Sequence, residues 1–154
     1  MKDAEDPEQP MRWTLSLELP GWASVEGGVY TVAKPFATLA APDLASAPGL
    51  SIMASLPARQ TPLRVSPHSE KVVLRVTLPP GTSPSELPSD LDASYGPHHL
   101  TQRTTTAHVG KAEVVTIERH ARFAPARIDP ADYPAFRTFV DQAERTLSAP
   151  LRIR

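Results

Sequence analysis

Hydrophobic and polar residues alternate one by one through much of this chain. In "RWTLSLEL", residues 12–19, Trp13, Leu15, Leu17 and Leu19 share one side and Thr14, Ser16 and Glu18 the other, until Pro20-Gly21 stops the run. A period of two predicts a half-buried strand. A short strand at 29–33 follows the Gly27-Gly28 turn signal. The clearest middle strand is "EKVVLRVTLPPG", where Val72, Leu74, Val76 and Leu78 alternate with Val73, Arg75 and Thr77. Further strands are predicted at 50–55, within "TPLRVSP", at 92–95 and at 99–108. Gly110-Lys111 reads as a hairpin turn into "KAEVVTIERHARFA", which is β-branched from Val114 to Ile117. Residues 35–50 are weakly patterned and read as loop with a helical turn. "PPGTSPSELPSDLD" reads as a proline-punctuated loop that cannot join a central strand.

The period changes near the end. Tyr133, Phe136, Val140, Ala143 and Leu147 recur at spacings of three and four, with Phe139 on the flank. That is the apolar stripe of a helix, placed at about 130–147. Asp129 suits an N-cap and Pro130 a first helical position, although Pro134 allows the main helix to begin near Tyr133 or Pro134. Arg137 and Asp141 form an i,i+4 pair on the other side. Pro150 ends the helix, and "LRIR" reads as a short final strand or tail.

Short strands at this spacing, closed by one helix, predict an Ig-like antiparallel β-sandwich with one C-terminal α-helix packed on it. Residues 11–154 form one such domain, preceded at 1–10 by an acidic tail or linker with four acids and one lysine. The 18 prolines are about twice the usual share and are scattered, so they punctuate strands rather than build a polyproline ligand.

A net charge of −1 gives no basic field for nucleic acid. With no cysteine there is no disulfide, thiolate metal site or thiol nucleophile. No apolar run has membrane-spanning length, and no signal-peptide core opens the chain as given. Membrane insertion is therefore not expected.

Three stretches carry a family resemblance: "RQTPLRVSPHSEKVVLRVTLPPG", "PSELPSDLD" and "RIDPADYPAFRTFVDQAERTL". In them the chain resembles the β-rich domain that follows the catalytic core in bacterial multidomain transglutaminase-like proteins. The resemblance covers residues 59–147 and weakens back toward Trp13; Tyr133-Pro134-x-Phe136 is its most specific part. Such proteins place one β-rich domain before a papain-like core and another after it. The resemblance implies a non-catalytic accessory domain, with a transglutaminase-like catalytic domain in cis or trans, or another protein, as its partner. It also favours a periplasmic or extracytoplasmic location. The family's catalytic Cys, His and Asp belong to the core, so no catalytic residue carries over.

Other chemistry is sparse in the pattern. Of the five histidines, His68, His98, His99, His108 and His120, the adjacent His98 and His99 would point to opposite faces of a strand; a surface zinc site would need pairing that brings His99 near His108 or His120. No metal or other cofactor is predicted. Glu86, Asp90 and Asp92 lie in the proline-rich region without a sign of a cleft. There is no G-x-S-x-G, G-x-G-x-x-G or P-loop. Arg119, Arg122, Arg127, Arg152 and Arg154 read as solvated or salt-bridged. Among the aromatics, Trp13 is in phase with leucines and reads as core, with Tyr30 also on a strand. Trp22 and Tyr95 are the candidates for ligand or partner contact, which leaves a carbohydrate- or cell-wall-binding module as the alternative function.

Overall fold

The computed structural model describes residues 21–32 and 54–154. The acidic start, the strand predicted at 12–19 with Trp13, and the stretch at 35–50 lie outside the described residues. Of the strand predicted at 50–55, only Ala54 and Ser55 are described, and neither is in a strand.

The elements run β1 (Ser24–Glu26), β2 (Val29–Val32), β3 (Leu63–Val65), β4 (His68–Thr77), β5 (Pro84–Glu86), β6 (Leu91–Tyr95), β7 (His98–Val109), β8 (Ala112–Phe123), β9 (Ala126–Ile128), α1 (Tyr133–Leu147) and β10 (Leu151–Ile153). The protein is mainly β, with antiparallel sheets and one C-terminal helix packed on them. One sheet has the order β4-β8-β7-β6, a second β1-β2-β10-β5, and β3 and β9 make a two-stranded ribbon. Strands β6, β7 and β8 follow one another as hairpins, and β8 returns beside the earlier β4, a Greek-key order. "LRIR" becomes β10, which sits between β2 and β5 rather than forming a tail.

Period-two alternation explains why the β4-β8-β7-β6 sheet has one dry face. On β8, Val115, Ile117, Arg119, Ala121 and Phe123 are buried, and the residues between them are exposed or half-buried. One half of this face packs against the second sheet: Leu74, Val76, Val115 and Ile117 meet Val32, Leu151 and Ile153. The other half packs under the helix, where Leu91, Leu100, Ala121 and Phe123 meet Tyr133, Phe136, Phe139, Val140 and Ala143. Two apolar clusters thus share one sheet, and the second layer is part sheet, part helix. The opposite face carries Lys71 paired with Glu118 at 2.7 Å and the exposed Val73, as an antiparallel sheet with one wet side allows.

The helix stripe is where the periodicity places it. Tyr133, Phe136, Val140 and Ala143 are fully buried, Phe139 nearly so, and Leu147 is partly buried against the same cluster. Full burial of such a side chain contributes roughly 1.5–3 kcal/mol. Arg137 and Asp141 pair at 3.6 Å on the outer side.

The helix takes the later of the two starts that the prolines allow. It begins at Tyr133, with Asp132 as N-cap residue and no side-chain cap bond. Asp129 contributes its backbone carbonyl, which accepts from the Asp132 and Tyr133 N–H groups, while its carboxylate pairs with Arg127 at 3.1 Å. Residues 130–132 form a separate turn. Two short strands also replace predicted irregular chain. Residues 126–128 pair with β3 as β9. Within "PPGTSPSELPSDLD", β5 pairs with β10 at the sheet's edge, where its proline costs no ladder bond to a central neighbour.

Candidate functional site

The two aromatics singled out from sequence lie in different clusters. Trp22 is half-buried against the cluster between the two sheets. Tyr95, on β6, packs against Phe136 at 5.5 Å and Phe139 at 6.1 Å and donates its hydroxyl to the Asp132 carbonyl at 3.3 Å. Burial, then the Asp132 charge, pushes the Tyr95 phenol up, so it remains neutral. The rings form no common sugar-stacking platform.

The carboxylates are each occupied by a cation. Glu86 accepts from Arg152 at 2.7 Å. Asp92 accepts from His99 at 2.9 Å and lies 3.8 Å from Arg103. Asp90 accepts from the Thr104 backbone N–H at 2.8 Å and from Arg103 at 3.1 Å. The Thr104 N–H and then Arg103 hold the Asp90 carboxyl below the usual range. None of these acids faces another across a cleft.

The histidines do not gather into one site among the described residues. His98 is fully buried and its neighbour His99 exposed, as adjacent strand positions require. His68 pairs with Glu70 at 3.3 Å. His120, opposite Thr101, is the diagonal neighbour of His99, opposite Arg122, on one exposed face, whereas His108, opposite Glu113, lies at the far end of the β7–β8 ladder. Among the described residues no three His, Asp or Glu side chains converge as metal ligands.

The five arginines differ in their surroundings. Arg127 and Arg152 are in ion pairs, and Arg119 is buried. Arg119 is not the solvated or salt-bridged arginine that its residue type predicts; it lies on β8 between Ile117 of one apolar cluster and Ala121 of the other. Its guanidinium donates to Gln102 Oε1 at 3.0 Å and to the Leu147 carbonyl at 2.9 Å. Gln102 passes the network on, donating to the Ser89 carbonyl at 2.9 Å. Burial pushes Arg119 down to about 10, opposed by the charge of Glu70, and it stays protonated at neutral pH. The signal was its phase: Arg119 falls on the apolar beat set by Val115, Ile117, Ala121 and Phe123.

One edge that is open to an added strand, among the described residues, is the outer side of the far half of β7. Pairing with β6 stops at Gln102, opposite Leu91, while β7 continues along β8 to Val109. Among the described residues, 103–109 therefore have no strand on that side. The Thr104 N–H reaches outward to Asp90, so by strand alternation the N–H and C=O groups of Thr106 and His108 point outward too. Thr105, Thr106, Ala107, His108 and Val109 are all exposed, Val109 at 64%. Gly110, with φ of 63° in the left-handed region, turns the chain back into β8. Edge strands normally carry lysine, proline or a cover that blocks pairing; 104–109, "TTTAHV", has neither lysine nor proline.

No family model matches the chain, and no curated protein matches it. The fold is similar to that of a solved structure described as a putative protease from Parabacteroides distasonis ATCC 8503, with a TM-score of 0.54 and 16% identity. That likeness covers 81% of this chain and 23% of the other, so the chain spans under a quarter of that protein's length. At such identity it shows a shared fold. No helix among the described residues is long and apolar enough to cross a membrane.

Proposed function

We propose that this chain is a non-catalytic accessory domain of, or derived from, a transglutaminase-like bacterial protein, and that it positions or contacts a protein partner by strand addition. The observation that carries the reading is the outer edge of β7 at 105–109, where among the described residues no strand pairs and the N–H and C=O groups of Thr106 and His108 point outward. An extended segment laid along it would gain main-chain hydrogen bonds at Thr106 and His108.

Two further points support the reading. The acids are engaged in local pairs that stabilise the fold's own loops and edges. The Parabacteroides distasonis protein, itself described as a putative protease, is several times longer than the matched segment, so there the same fold is one part of a larger chain. The carbohydrate-binding alternative has less support, because Trp22 and Tyr95 pack into separate clusters.

Amide hydrogen exchange tests the reading. With a transglutaminase-like catalytic domain from the same source added, the amides of Thr106 and His108 are expected to slow. Slowing confined to the helix or to β1, with β7 unchanged, would sink the proposed edge.

A further inference from the structure

The interior under the start of α1 holds a group that packing alone does not explain. His98 opens β7, is fully buried, and sits opposite Tyr95 in the β6–β7 register. Its ring lies parallel to the Tyr95 ring with centroids 6.4 Å apart, 5.4 Å from Phe123 and 5.9 Å edge-on from Phe136. Among the described residues neither Nδ1 nor Nε2 has a hydrogen-bond partner. A phenylalanine would fill the same space with no buried polar atoms to leave unpaired.

We propose that His98 is an acid-sensitive latch on α1: protonation of its ring releases the start of the helix from the sheet. An imidazolium in this position would be a full charge among aromatic rings with no bonded counter-ion. The elements packed on it supply none. From β6 comes the Tyr95 phenol, from β8 the Phe123 ring, and from α1 the Phe136 ring. The titratable groups just beyond are Asp132, whose backbone carbonyl takes the Tyr95 hydroxyl, and His68, opposite Phe123 and bonded to Glu70. Lifting Tyr133, Phe136 and Phe139 away would let water reach the ring. The far end of α1 has a separate anchor, because Arg119 holds the Leu147 carbonyl. Release would thus begin at the aromatic end and expose an apolar helix face there.

Burial holds the His98 proton affinity below the ordinary 6.5. The open state then binds the proton first as pH falls. The closed state is fully favoured above 6.5 and loses ground below it, until the lowered folded-state value is reached. Within that window the closed-to-open ratio falls by up to about tenfold per pH unit.

The test compares the full chain with His98→Phe by amide-exchange protection along α1 between pH 7.5 and 5, corrected for intrinsic exchange (pH settings chosen to bracket about 6.5). Wild type is expected to lose protection at Phe136, Phe139 and Val140 below 6.5, while His98→Phe holds a flat profile. The comparison cancels titration of His68, His99, His108 and His120, which both proteins share. Equal pH slopes in the two proteins would overturn the proposal. Should His98→Phe not fold, carbon NMR titration of the wild-type imidazoles decides. His98 is expected to stay neutral below 6.5, and a midpoint at or above 6.5 would contradict the latch.

Discussion

The Arg119 guanidinium donates to the Leu147 carbonyl at 2.9 Å, joining the middle of β8 to the last turn of α1. A helix's final carbonyls lack partners within the helix, and a cation there also suits the negative end of its dipole. The same guanidinium holds Gln102, so one buried side chain links β8, β7 and α1 where the two apolar clusters meet.

Removing this link should be costly. Arg119→Ala leaves Gln102 Oε1 and the Leu147 carbonyl without their charged donor, and is expected to destabilise the fold by about 1.5–3 kcal/mol. Arg119→Lys keeps the charge but not the planar fork, so it should recover only part of that loss. Urea denaturation of the three proteins measures both effects.

The helix stripe should be graded along its length. Phe136 is fully buried between Tyr95 and His98, so Phe136→Ala is expected to cost about 3–5 kcal/mol. Leu147 is only partly buried, and Leu147→Ala should cost clearly less. A loss well below about 1 kcal/mol for Phe136→Ala would mean that the stripe is a surface rather than a core. Chemical denaturation reads the ratio directly.

Tyr133 fills the core with its ring and donates its hydroxyl to the Leu56 carbonyl at 2.9 Å. Tyr133→Phe keeps the ring and deletes that bond, for an expected loss of about 0.5–1.5 kcal/mol. Arg59 lies 5.5 Å over the same ring, so faster amide exchange should appear around residues 56–59 while the helix stays protected.

Asp90 should titrate below 3.8, because its ionised form accepts from the Thr104 N–H and from Arg103. Its contribution to the β6–β7 edge is present above 3.8 and is lost as pH falls through the lowered value. Carboxyl-carbon NMR gives the midpoint, and Arg103→Ala should raise it partway, since the backbone bond to Thr104 remains.

Strand and helix identities were legible where local pattern and burial agree. The alternation of Val72, Leu74 and Val76 matches one dry face, and Tyr133, Phe136, Val140 and Ala143 match one helix stripe. The three-residue strands β5 and β9 were not legible, because their pairing comes from partners far along the chain: Glu86 meets Arg152, and Ile128 meets Leu63. So short a segment takes its conformation from tertiary context rather than propensity. Arg119 and His98 were hidden by residue type. Both fall on the apolar beat of their strands, and that phase outweighs the usual exposure of arginine and histidine. The aromatic-rich ending identified the helix and its packing but not the partner surface, which arises only when β7 outruns β6.

Calorimetric titration of this domain with the transglutaminase-like catalytic domain from the same source tests the central claim most directly, with Thr106→Pro as the control. Proline at 106 removes an outward N–H at the free edge. Saturable heat for the wild type, abolished in a folded Thr106→Pro variant, is the expected result. Absence of heat with the wild type, or equal heat from both proteins, would contradict an accessory domain that works through the β7 edge.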